Sequence, residues 1–412
     1  MHTFHTPLDL VRLRHLERPV VCARPDRLAQ ASQWFQDNFP GEVLYAVKAN
    51  PSPWIIDGLY AAGTRFFDVA SIAEVALIAE RCPKARMAFL HPVKSREAIR
   101  RAYYEFGVRI FALDTEAELH KILAETNNAS DLILIVRLAV SNDGAIFSLA
   151  GKFGVPAFEA AELIRTCRAH AYELGVSFHV GSQCMLPSAY RSAMMEASRL
   201  IAQAGVTVDI VDVGGGFPSI YPGLTPPPLT DYVRAIEEAF EEMMVLENAD
   251  LWCEPGRALV SEAESILVRV ELVKGDALYL NDGAYGRLFD AAHSKWPFPV
   301  RHHRASGTAD SETAMFRFFG PTCDSLDAMQ GPFELPADTA EGDIIEIGML
   351  GAYGTAIASN FNGFGSTEMV EVADSPWPSM FDQQPDYARG EDTTVINLAR
   401  ARRRRPKLRR RA

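Results

Sequence analysis

Eight short apolar runs alternate with longer amphipathic stretches between about residue 41 and residue 265. The runs are rich in β-branched residues and predict strands at Val43–Val47, Arg65–Val69, Met87–Leu90, Val108–Leu113, Leu132–Val136, Val176–Val180, Val208–Val213 and Leu251–Cys253. Two of the stretches between them, Ser71–Arg81 and Glu159–Leu174, have apolar residues at three- and four-residue steps, which indicates helices. Apolar strands that alternate with helices favour a parallel sheet, and eight such units predict a (β/α)8 barrel of the TIM type. Periodicity alone leaves an open, doubly wound sheet as the alternative.

After about residue 265 the pattern changes to short strands separated by turns and polar loops. Four strands are predicted there, at Ile266–Leu272, Ala277–Leu280, Met315–Phe319 and Asp343–Ile347. They indicate an antiparallel β-sandwich or β-barrel domain, which the run Pro19–Ala23 can join. We therefore expect a barrel domain over residues 25–265, a β domain over residues 1–24 and 266–395, and a basic, disordered tail over residues 396–412.

The charge of the chain is unevenly distributed. Residues 400–412 carry nine Arg or Lys and no acidic residue, which leaves −21 for the rest of the chain against −12 for the whole. A terminal block of like charges usually stays solvated and disordered. Binding of nucleic acid or an anionic membrane through this block is the alternative. Nothing else in the sequence supports it, so we expect no specific nucleic-acid partner.

Cysteine spacing and hydropathy indicate in which cellular compartment the protein is located. The six cysteines are far apart and form no CxxC pair, a pattern that favours reduced thiols in the cytoplasm and no structural metal site. The longest apolar stretches are too short to span a membrane, and none follows a basic, leader-like start. We therefore expect a cytoplasmic protein with no membrane partner.

Polar and glycine residues recur where the predicted barrel strands end. They are Lys48, Asp68, Arg137, His179, Gly214–Gly216 and Glu254. The carboxyl ends of the strands of such a barrel form the rim on which active sites lie, so we expect these residues to converge. Each alone has an ordinary explanation, such as a surface lysine, a core histidine, a glycine turn, or an ion pair between Glu254 and Arg257.

Together these residue types suit a phosphorylated pyridine aldehyde. The amine of Lys48 can form a Schiff base, provided that burial or a neighbouring charge lowers its pKa. Three consecutive glycines let backbone N–H groups approach a phosphate closely. Glu254 can keep a pyridine nitrogen protonated, and the flat ring of His179 can stack on the pyridine face.

Seven motifs resemble, in order, those of the fold-type III pyridoxal-phosphate decarboxylases, the group of ornithine, diaminopimelate and arginine decarboxylases. The similarity covers about residues 17–370, and the motifs are Tyr45–Pro51, Phe67–Ser71, His179–Gln183, Asp212–Pro218, Glu254–Arg257, Gly320–Asp327 and Gly351–Tyr353. The resemblance implies pyridoxal 5'-phosphate as cofactor, with Lys48 as its Schiff-base lysine, Glu254 at the pyridine nitrogen and His179 on the ring face. It implies further cofactor-binding residues, several of them at the phosphate: Asp68, Ser182, Gly214, Gly215, Gly216, Pro255, Gly256, Arg257 and Tyr353.

The resemblance also implies a proton donor from a second subunit. Free cysteines are usually small buried hydrophobes. Cys323, however, lies in the motif Gly-Pro-Thr-Cys-Asp, where it would return a proton to Cα after CO2 leaves. In the family Cys323 and Asp324 enter the site of the neighbouring subunit, which implies a homodimer with two shared sites.

The substrate is expected to be a basic amino acid. Cys323-Asp-Ser-Leu-Asp resembles the ornithine type rather than the Cys-Glu-Ser-Gly-Asp of diaminopimelate enzymes. The Asp324 carboxylate suits a distal ammonium. Asp290, in a segment similar to one that bears a second aspartate, is a second candidate clamp, and Tyr285, close before it, is a third candidate substrate-binding residue. The loop after Tyr285 is shorter than in eukaryotic enzymes, and Ser148 lies close to where those enzymes have an arginine before Lys-Phe-Gly.

These features predict decarboxylation of L-ornithine to putrescine and CO2, a step of polyamine biosynthesis. Lysine is one methylene longer than ornithine, and a methylene is discriminated by only about 1–3 kcal/mol, so lysine/ornithine activity is an alternative. A meso-diaminopimelate decarboxylase is another. A catalytically inactive regulatory homologue ranks lowest, because Lys48, Cys323 and the phosphate site are all present.

Overall fold

The computed structural model describes residues 2–148, 151–245, 248–294 and 296–382, so the predicted tail over residues 396–412 lies outside the described residues. The strands, numbered in chain order, are β1 (Thr3–Phe4), β2 (Val20–Ala23), β3 (Glu42–Ala46), β4 (Phe66–Val69), β5 (Arg86–Phe89), β6 (Ile110–Leu113), β7 (Ile133–Arg137), β8 (Ala145–Phe147), β9 (Glu173–Ser177), β10 (Ser182–Cys184), β11 (Ile210–Asp212), β12 (Asp250–Cys253), β13 (Glu264–Lys274), β14 (Ala277–Leu280), β15 (Val300–His303), β16 (Thr313–Phe319), β17 (Ala328–Pro336), β18 (Ile344–Ile347) and β19 (Glu368–Val372). The helices are α1 (Pro7–Leu13), α2 (Pro25–Asn38), α3 (Pro53–Ala61), α4 (Ile72–Arg81), α5 (Arg96–Tyr104), α6 (Glu116–Glu125), α7 (Ala157–Arg168), α8 (Ser188–Ala204), α9 (Leu229–Glu242), α10 (Arg257–Val260) and α11 (Phe289–His293). Within the described ranges, no helix has both the length and the apolar character needed to cross a membrane.

Eight parallel strands close into a barrel in the order β3-β4-β5-β6-β7-β9-β11-β12, with β12 pairing back onto β3. The predicted (β/α)8 barrel is confirmed and the open sheet is excluded. The predicted helix Glu159–Leu174 was too long: α7 ends at Arg168, and Leu174 lies in β9. The backbone leaves the helix because Tyr172 N–H donates to Leu132 O at 2.8 Å and the following residues pair with β7.

The inside of the barrel has an apolar floor and a polar rim. Phe66 of β4 and Trp252 of β12 pack edge to face, with ring centroids 5.0 Å apart. Side chains two residues apart on a strand point the same way, so Asp68 and Glu254 follow them on the inner side, nearer the carboxyl ends. The strand period therefore places two carboxyl groups at the predicted catalytic rim.

Short side-chain caps start the helices that follow the strands. Ser71 Oγ accepts from Glu74 N–H at 3.2 Å at the start of α4, and Ser95 Oγ accepts from Ala98 N–H at 3.1 Å at the start of α5. Such caps satisfy N–H groups that a helix start leaves unpaired. Because the cap Ser71 comes only two residues after β4 ends, the loop that follows Asp68 is short and well defined.

A mostly antiparallel sheet receives strands from both ends of the chain. β13 pairs antiparallel with β2, β14 and β18, and β19 lies parallel to β2. The expected antiparallel β fold is confirmed, and the run Pro19–Ala23 contributes to it through β2. Three pairings are parallel, which the sequence pattern did not predict: β1 with β19, β19 with β2, and β14 with β16.

A buried charge network ties this sheet together. Glu346 of β18 is fully buried and accepts from Arg24 Nη2 at 2.8 Å and from Ser265 Oγ at 2.7 Å. His303 Nε2 lies 2.9 Å from its other oxygen. Burial alone would raise the pKa of Glu346, but His303 and Arg24 outweigh it and lower that pKa to about 2. The carboxylate is therefore charged at neutral pH and stabilised by its partners.

Replacing Glu346 should destabilise the fold. Glu346→Gln leaves the buried Arg24 with less compensation, and we expect the free energy of unfolding at pH 7 to fall by about 3 kcal/mol in urea titrations. The lowered pKa of Glu346 gives stabilisation that is complete above about pH 4.5 and is lost as the pH falls towards about 2. The free energies of unfolding of the wild type and of Glu346→Gln should therefore converge over that range. Glu368→Gln, which breaks an exposed pair with Arg14, is the control and should change stability little. Equal effects of the two substitutions would contradict a structural role of the network.

Candidate active site

Lys48 follows β3 in a short 3-10 turn and faces a buried carboxylate. Its Nζ donates to Asp68 Oδ2 at 3.0 Å; the Lys48 side chain is 43% exposed and that of Asp68 is 3% exposed. The surrounding protein alone would lower the pKa of Lys48, but the negative charge of Asp68, 3.0 Å away, outweighs this effect and raises the pKa. The lowered pKa that Schiff-base formation was said to require is not found for Lys48, because the nearest charge, that of Asp68, is negative. Such surroundings favour a positively charged nitrogen at this position.

His179 lies two residues beyond the end of β9, next to Lys48. Its Nδ1 accepts from Gly181 N–H at 3.0 Å, so the proton of the neutral ring belongs on Nε2. Burial, and then the positive charges of Lys48 and Arg137, lower the pKa of His179 to about 3. The ring is therefore neutral at physiological pH and suits stacking on a flat ligand.

The three glycines after β11 form a turn beside His179. Gly214 and Gly216 have φ values of +67° and +107°, which L side chains rarely adopt. A Cβ at Gly215 would lie 3.0 Å from His179 Nε2 and 2.8 Å from the carbonyl oxygen of Glu254. The turn therefore keeps its shape only with glycine.

Asp212 and Glu254 form a buried carboxyl pair. Asp212 Oδ1 accepts from Gly214 N–H at 2.9 Å, whereas its Oδ2 is buried with no hydrogen-bond donor in the described ranges. Burial raises the pKa of Asp212 to about 6, and burial together with the charge of Asp212 raises the pKa of Glu254 well above its usual value. A proton on the Glu254 carboxyl provides the missing hydrogen-bond donor for Asp212 Oδ2. A proton-carrying carboxyl therefore lies where the sequence predicts contact with a pyridine nitrogen.

Arg257 begins α10 and is buried at the same rim. Its Nη1 donates to Asp290 Oδ2 at 2.7 Å and to Tyr221 Oη at 2.9 Å. Burial alone would lower the pKa of Arg257, but Tyr221 and Asp290 raise it. No ion pair between Arg257 and Glu254 occurs among the residues that the structure describes. The predicted phosphate ligand thus contacts Asp290, the predicted second substrate clamp.

Tyr353 connects the β sheet to the Lys48 turn. Its N–H donates to Ala49 O at 2.8 Å, one residue after Lys48. Its ring centroid lies 5.0 Å from Cζ of Arg257. The structure therefore brings Tyr353 beside both residues, as expected of a cofactor ligand.

The remaining predicted cofactor residues border the same rim. Pro255 O accepts from Ala46 N–H at 3.4 Å, across the closure of the barrel. A Cβ on Gly256 would lie 3.3 Å from Cβ of Ala46, so only a small residue fits there. Ser182 begins β10 directly after Gly181, the residue that orients His179.

Cys323 and Asp324 lie together on the loop between β16 and β17. Asp324 Oδ2 accepts from Tyr285 Oη at 2.6 Å, and its Oδ1 accepts from Leu326 N–H at 3.0 Å. The Leu326 N–H and the Tyr285 hydroxyl lower the pKa of Asp324, which keeps it ionised. Cys323 is exposed, whereas the other five cysteines are buried. Within one chain, no described hydrogen bond or ion pair joins this loop to Lys48.

The described residues fit pyridoxal phosphate. They provide an amine, a neutral imidazole, a proton-carrying carboxyl and a glycine turn. Arg257 Nε is buried without a partner among the described residues, so this cation retains a free donor. The described residues contain no group of three or more His, Cys, Asp or Glu placed to bind a metal ion. A phosphorylated pyridine aldehyde matches this donor set.

Comparison with known proteins decides the family. Residues 26–261 match the family described as pyridoxal-dependent decarboxylase, pyridoxal binding domain. The chain belongs to this family. It is 29% identical over 385 residues to the lysine/ornithine decarboxylase of Selenomonas ruminantium, covering 91% of this chain and 92% of that protein. It is 32% identical over 386 residues to the ornithine decarboxylase of Caenorhabditis elegans, covering 87% of this chain and 88% of that protein.

The solved structures agree with this assignment. The lysine/ornithine decarboxylase of Vibrio vulnificus, complexed with putrescine, superposes with a TM-score of 0.76 at 26% identity, covering 90% of this chain and 99% of that chain. This decarboxylase therefore uses pyridoxal phosphate and acts on a basic amino acid, and the predicted family, cofactor and reaction class are confirmed. The roles of its individual side chains remain predictions.

Three residues at the site were absent from the prediction. Asp212 lies within a recognised motif at a strand end, and both signals could have identified it. Tyr221 and Trp296, which surround Arg257 together with Tyr353, lie in loops without periodicity. Their contacts with Arg257 join segments that are distant in sequence, so no local pattern indicates them.

Proposed function

We propose that this decarboxylase converts L-ornithine to putrescine and CO2 in polyamine biosynthesis. The observation that carries the proposal is the geometry of Asp324, an ionised carboxylate oriented by the Tyr285 hydroxyl at 2.6 Å. A distal ammonium is the natural partner of such a group, because charge-assisted hydrogen bonds are stronger than neutral ones. The similarity to ornithine and lysine/ornithine decarboxylases supports the same substrate class.

The proposed roles follow from the contacts at the rim. Bound pyridoxal phosphate supplies the electron sink that allows the Cα carboxylate to leave as CO2. Lys48 holds the cofactor covalently, and Asp68 balances the positive charge there. Glu254 would pass its proton to the pyridine nitrogen and, as a carboxylate, keep that nitrogen protonated, and His179 would cover the ring face. Arg257 and the glycine turn bind the phosphate.

We also propose a homodimer with two shared sites. The loop with Cys323 lies amid exposed apolar side chains, among them Leu326 at 69%, Phe361 at 43% and Phe364 at 42% exposed. Clustered exposed apolar residues usually mark an interface between proteins. A second copy covering them would bring Cys323 and Asp324 to the partner's Lys48 site, where Cys323 returns the proton to Cα. The six free cysteines favour a cytoplasmic location.

Lysine is the second candidate substrate. Asp290 is paired with Arg257 at 2.7 Å, so Asp324 is the one predicted clamp that is open to a distal ammonium. One carboxylate sets the length of the substrate less sharply than two, and a methylene contributes only about 1–3 kcal/mol. Meso-diaminopimelate fits less well, because its second carboxylate would meet the negative charge of Asp324.

An amine product assay across ornithine, lysine, arginine and meso-diaminopimelate tests the proposal. We expect the highest kcat/KM with ornithine, with lysine lower by up to about 200-fold. Asp324→Asn should raise KM for ornithine by about 10- to 100-fold, because a charge-assisted hydrogen bond is lost. Asp310→Asn, a similar change at an exposed loop residue, should have no effect. Highest kcat/KM with lysine or diaminopimelate would refute ornithine as the substrate.

A further inference from the structure

The segment after Tyr353 places an amide against Cys323. Asn362 lies in the 3-10 turn Phe361–Gly363, and its Oδ1 accepts from Cys323 N–H at 3.2 Å. The same Oδ1 lies 3.3 Å from Cys323 Sγ, with the thiol as donor. One side-chain oxygen therefore contacts both the backbone and the side chain of Cys323.

The backbone contact fixes the identity of the amide atom. An N–H group can only donate, so the Asn362 atom that faces it must be the oxygen rather than the nitrogen. The sulfur then also faces an acceptor, which a thiol can satisfy and a thiolate cannot. Asn362 therefore holds the S–H group as a donor and restricts the direction of the S–H bond.

The turn that bears Asn362 is anchored to the proposed substrate clamp. Ser359 Oγ and Ser359 N–H donate to Tyr285 O at 2.7 Å and 2.9 Å. The rings of Tyr285 and Phe361 lie 4.9 Å apart, and the Tyr285 hydroxyl orients Asp324. The turn and the Cys323 loop thus form one connected unit, in which Tyr285 orients Asp324 and Asn362 orients Cys323.

The backbone at Asn362 explains why asparagine occurs there. Its φ is 53° and its ψ 15°, in the left-handed region, which Asn, Asp and Gly tolerate better than other residues. Among these three, Asn alone offers a neutral acceptor. Backbone and hydrogen-bond geometry therefore favour the same residue.

We propose that Asn362 is a positioning residue for proton return to Cα. In this step the S–H bond of Cys323 breaks, a Cα–H bond forms, and the thiolate left behind regains a proton from water. Asn362 keeps the thiol aligned until the step occurs. The inference rests on the proposed role of Cys323 as proton donor.

Two substitutions at Asn362 in the holoenzyme test the inference. Asn362→Gly tolerates the same φ but lacks the acceptor, and Asn362→Asp retains an acceptor but adds a negative charge. Asn128→Gly is the matched control, because Asn128 has the same φ of 53° at an exposed position away from the site. Cys323→Ala is included as the reference for a missing proton donor.

The first readout is the rate at which iodoacetamide alkylates Cys323 at pH 8, followed by peptide mass. Without the hydrogen bond to Asn362 the sulfur is freer to react, and we expect Asn362→Gly to react about fivefold faster, the effect of one hydrogen bond. Asn362→Asp should react more slowly than wild type, because its charge opposes the thiolate. A merely structural role would loosen the loop and speed alkylation in both variants.

The second readout is the carbon atom that receives the proton, which is determined from the products. A proton placed on the cofactor carbon instead of Cα gives CO2, an aldehyde and a cofactor that retains the amino group. We expect the aldehyde share of turnovers to rise in Asn362→Gly and to stay at the wild-type value in Asn128→Gly. Unchanged alkylation and product share in Asn362→Gly, or faster alkylation in both Asn362 variants, would overturn the inference. If Cys323→Ala itself forms amine as the wild type does, the proposed acid is wrong whatever Asn362 does.

Discussion

Lys48→Ala is expected to abolish turnover, with kcat lower by about 10⁴- to 10⁶-fold, as when a covalent catalytic group is removed. Lys48 is the amine that follows β3, and its Nζ lies 3.0 Å from Asp68 at the rim of the barrel. Without it the cofactor has no covalent attachment, and Asp68 loses its cationic partner. The visible absorption of the lysine-bound cofactor should disappear together with amine production.

Lys48→Arg separates the charge of Lys48 from its chemistry. Arginine can keep an ion pair with Asp68, but it cannot form the covalent bond, so this variant should remain folded and inactive. Lys84→Ala, at an exposed lysine in a turn, should retain both activity and the absorption band. Persistence of that band in Lys48→Ala would assign the cofactor lysine elsewhere.

The barrel could be predicted because its signals are local. Apolar strands, helix caps and the two-residue period of β4 and β12 depend on neighbours in sequence, and they place Asp68 and Glu254 at one rim. The boundaries of the helices and strands depend more on contacts between residues that are distant in sequence. The helix α7 stops four residues before Tyr172, whose N–H donates to Leu132 O, forty residues earlier, and no window of periodicity detects that contact.

The electrostatics of the site depend on contacts that sequence does not reveal. The pKa of Lys48 is raised rather than lowered, because the carboxylate of Asp68 faces the amine. Asp290 was expected beside a substrate ammonium and lies on Arg257, 33 residues away in sequence. Both outcomes depend on which side chains meet across the barrel and the sheet, and these distances exist only after folding.

The same limit applies to Asn362. A residue in a short irregular turn has no periodicity, and its contact with Cys323 spans 39 residues. Family resemblance indicated Cys323 but not its neighbour. Positioning residues are therefore identified mainly from the structure, because geometry rather than reactive chemistry distinguishes them.

Cys323→Ala should lower amine formation by about 10²- to 10⁴-fold, the usual contribution of a general acid. CO2 release should fall less than amine formation, because the carboxylate leaves before the proton is needed. Ser325→Ala, two residues along the same exposed loop, is the control and should behave as wild type. Equal loss of CO2 and amine would indicate that Cys323 supports binding rather than proton return.

Mixing the two inactive chains tests whether the site is shared. In a hybrid of Lys48→Ala and Cys323→Ala subunits, a shared arrangement gives one site with both Lys48 and Cys323 intact. Random pairing makes half of the dimers hybrids, so co-expression should restore about a quarter of wild-type activity. If each site took both residues from one chain, no pairing would restore it, and activity would stay at the level of the single variants. Because no described contact joins Cys323 to Lys48 within one chain, we expect the hybrid to be active.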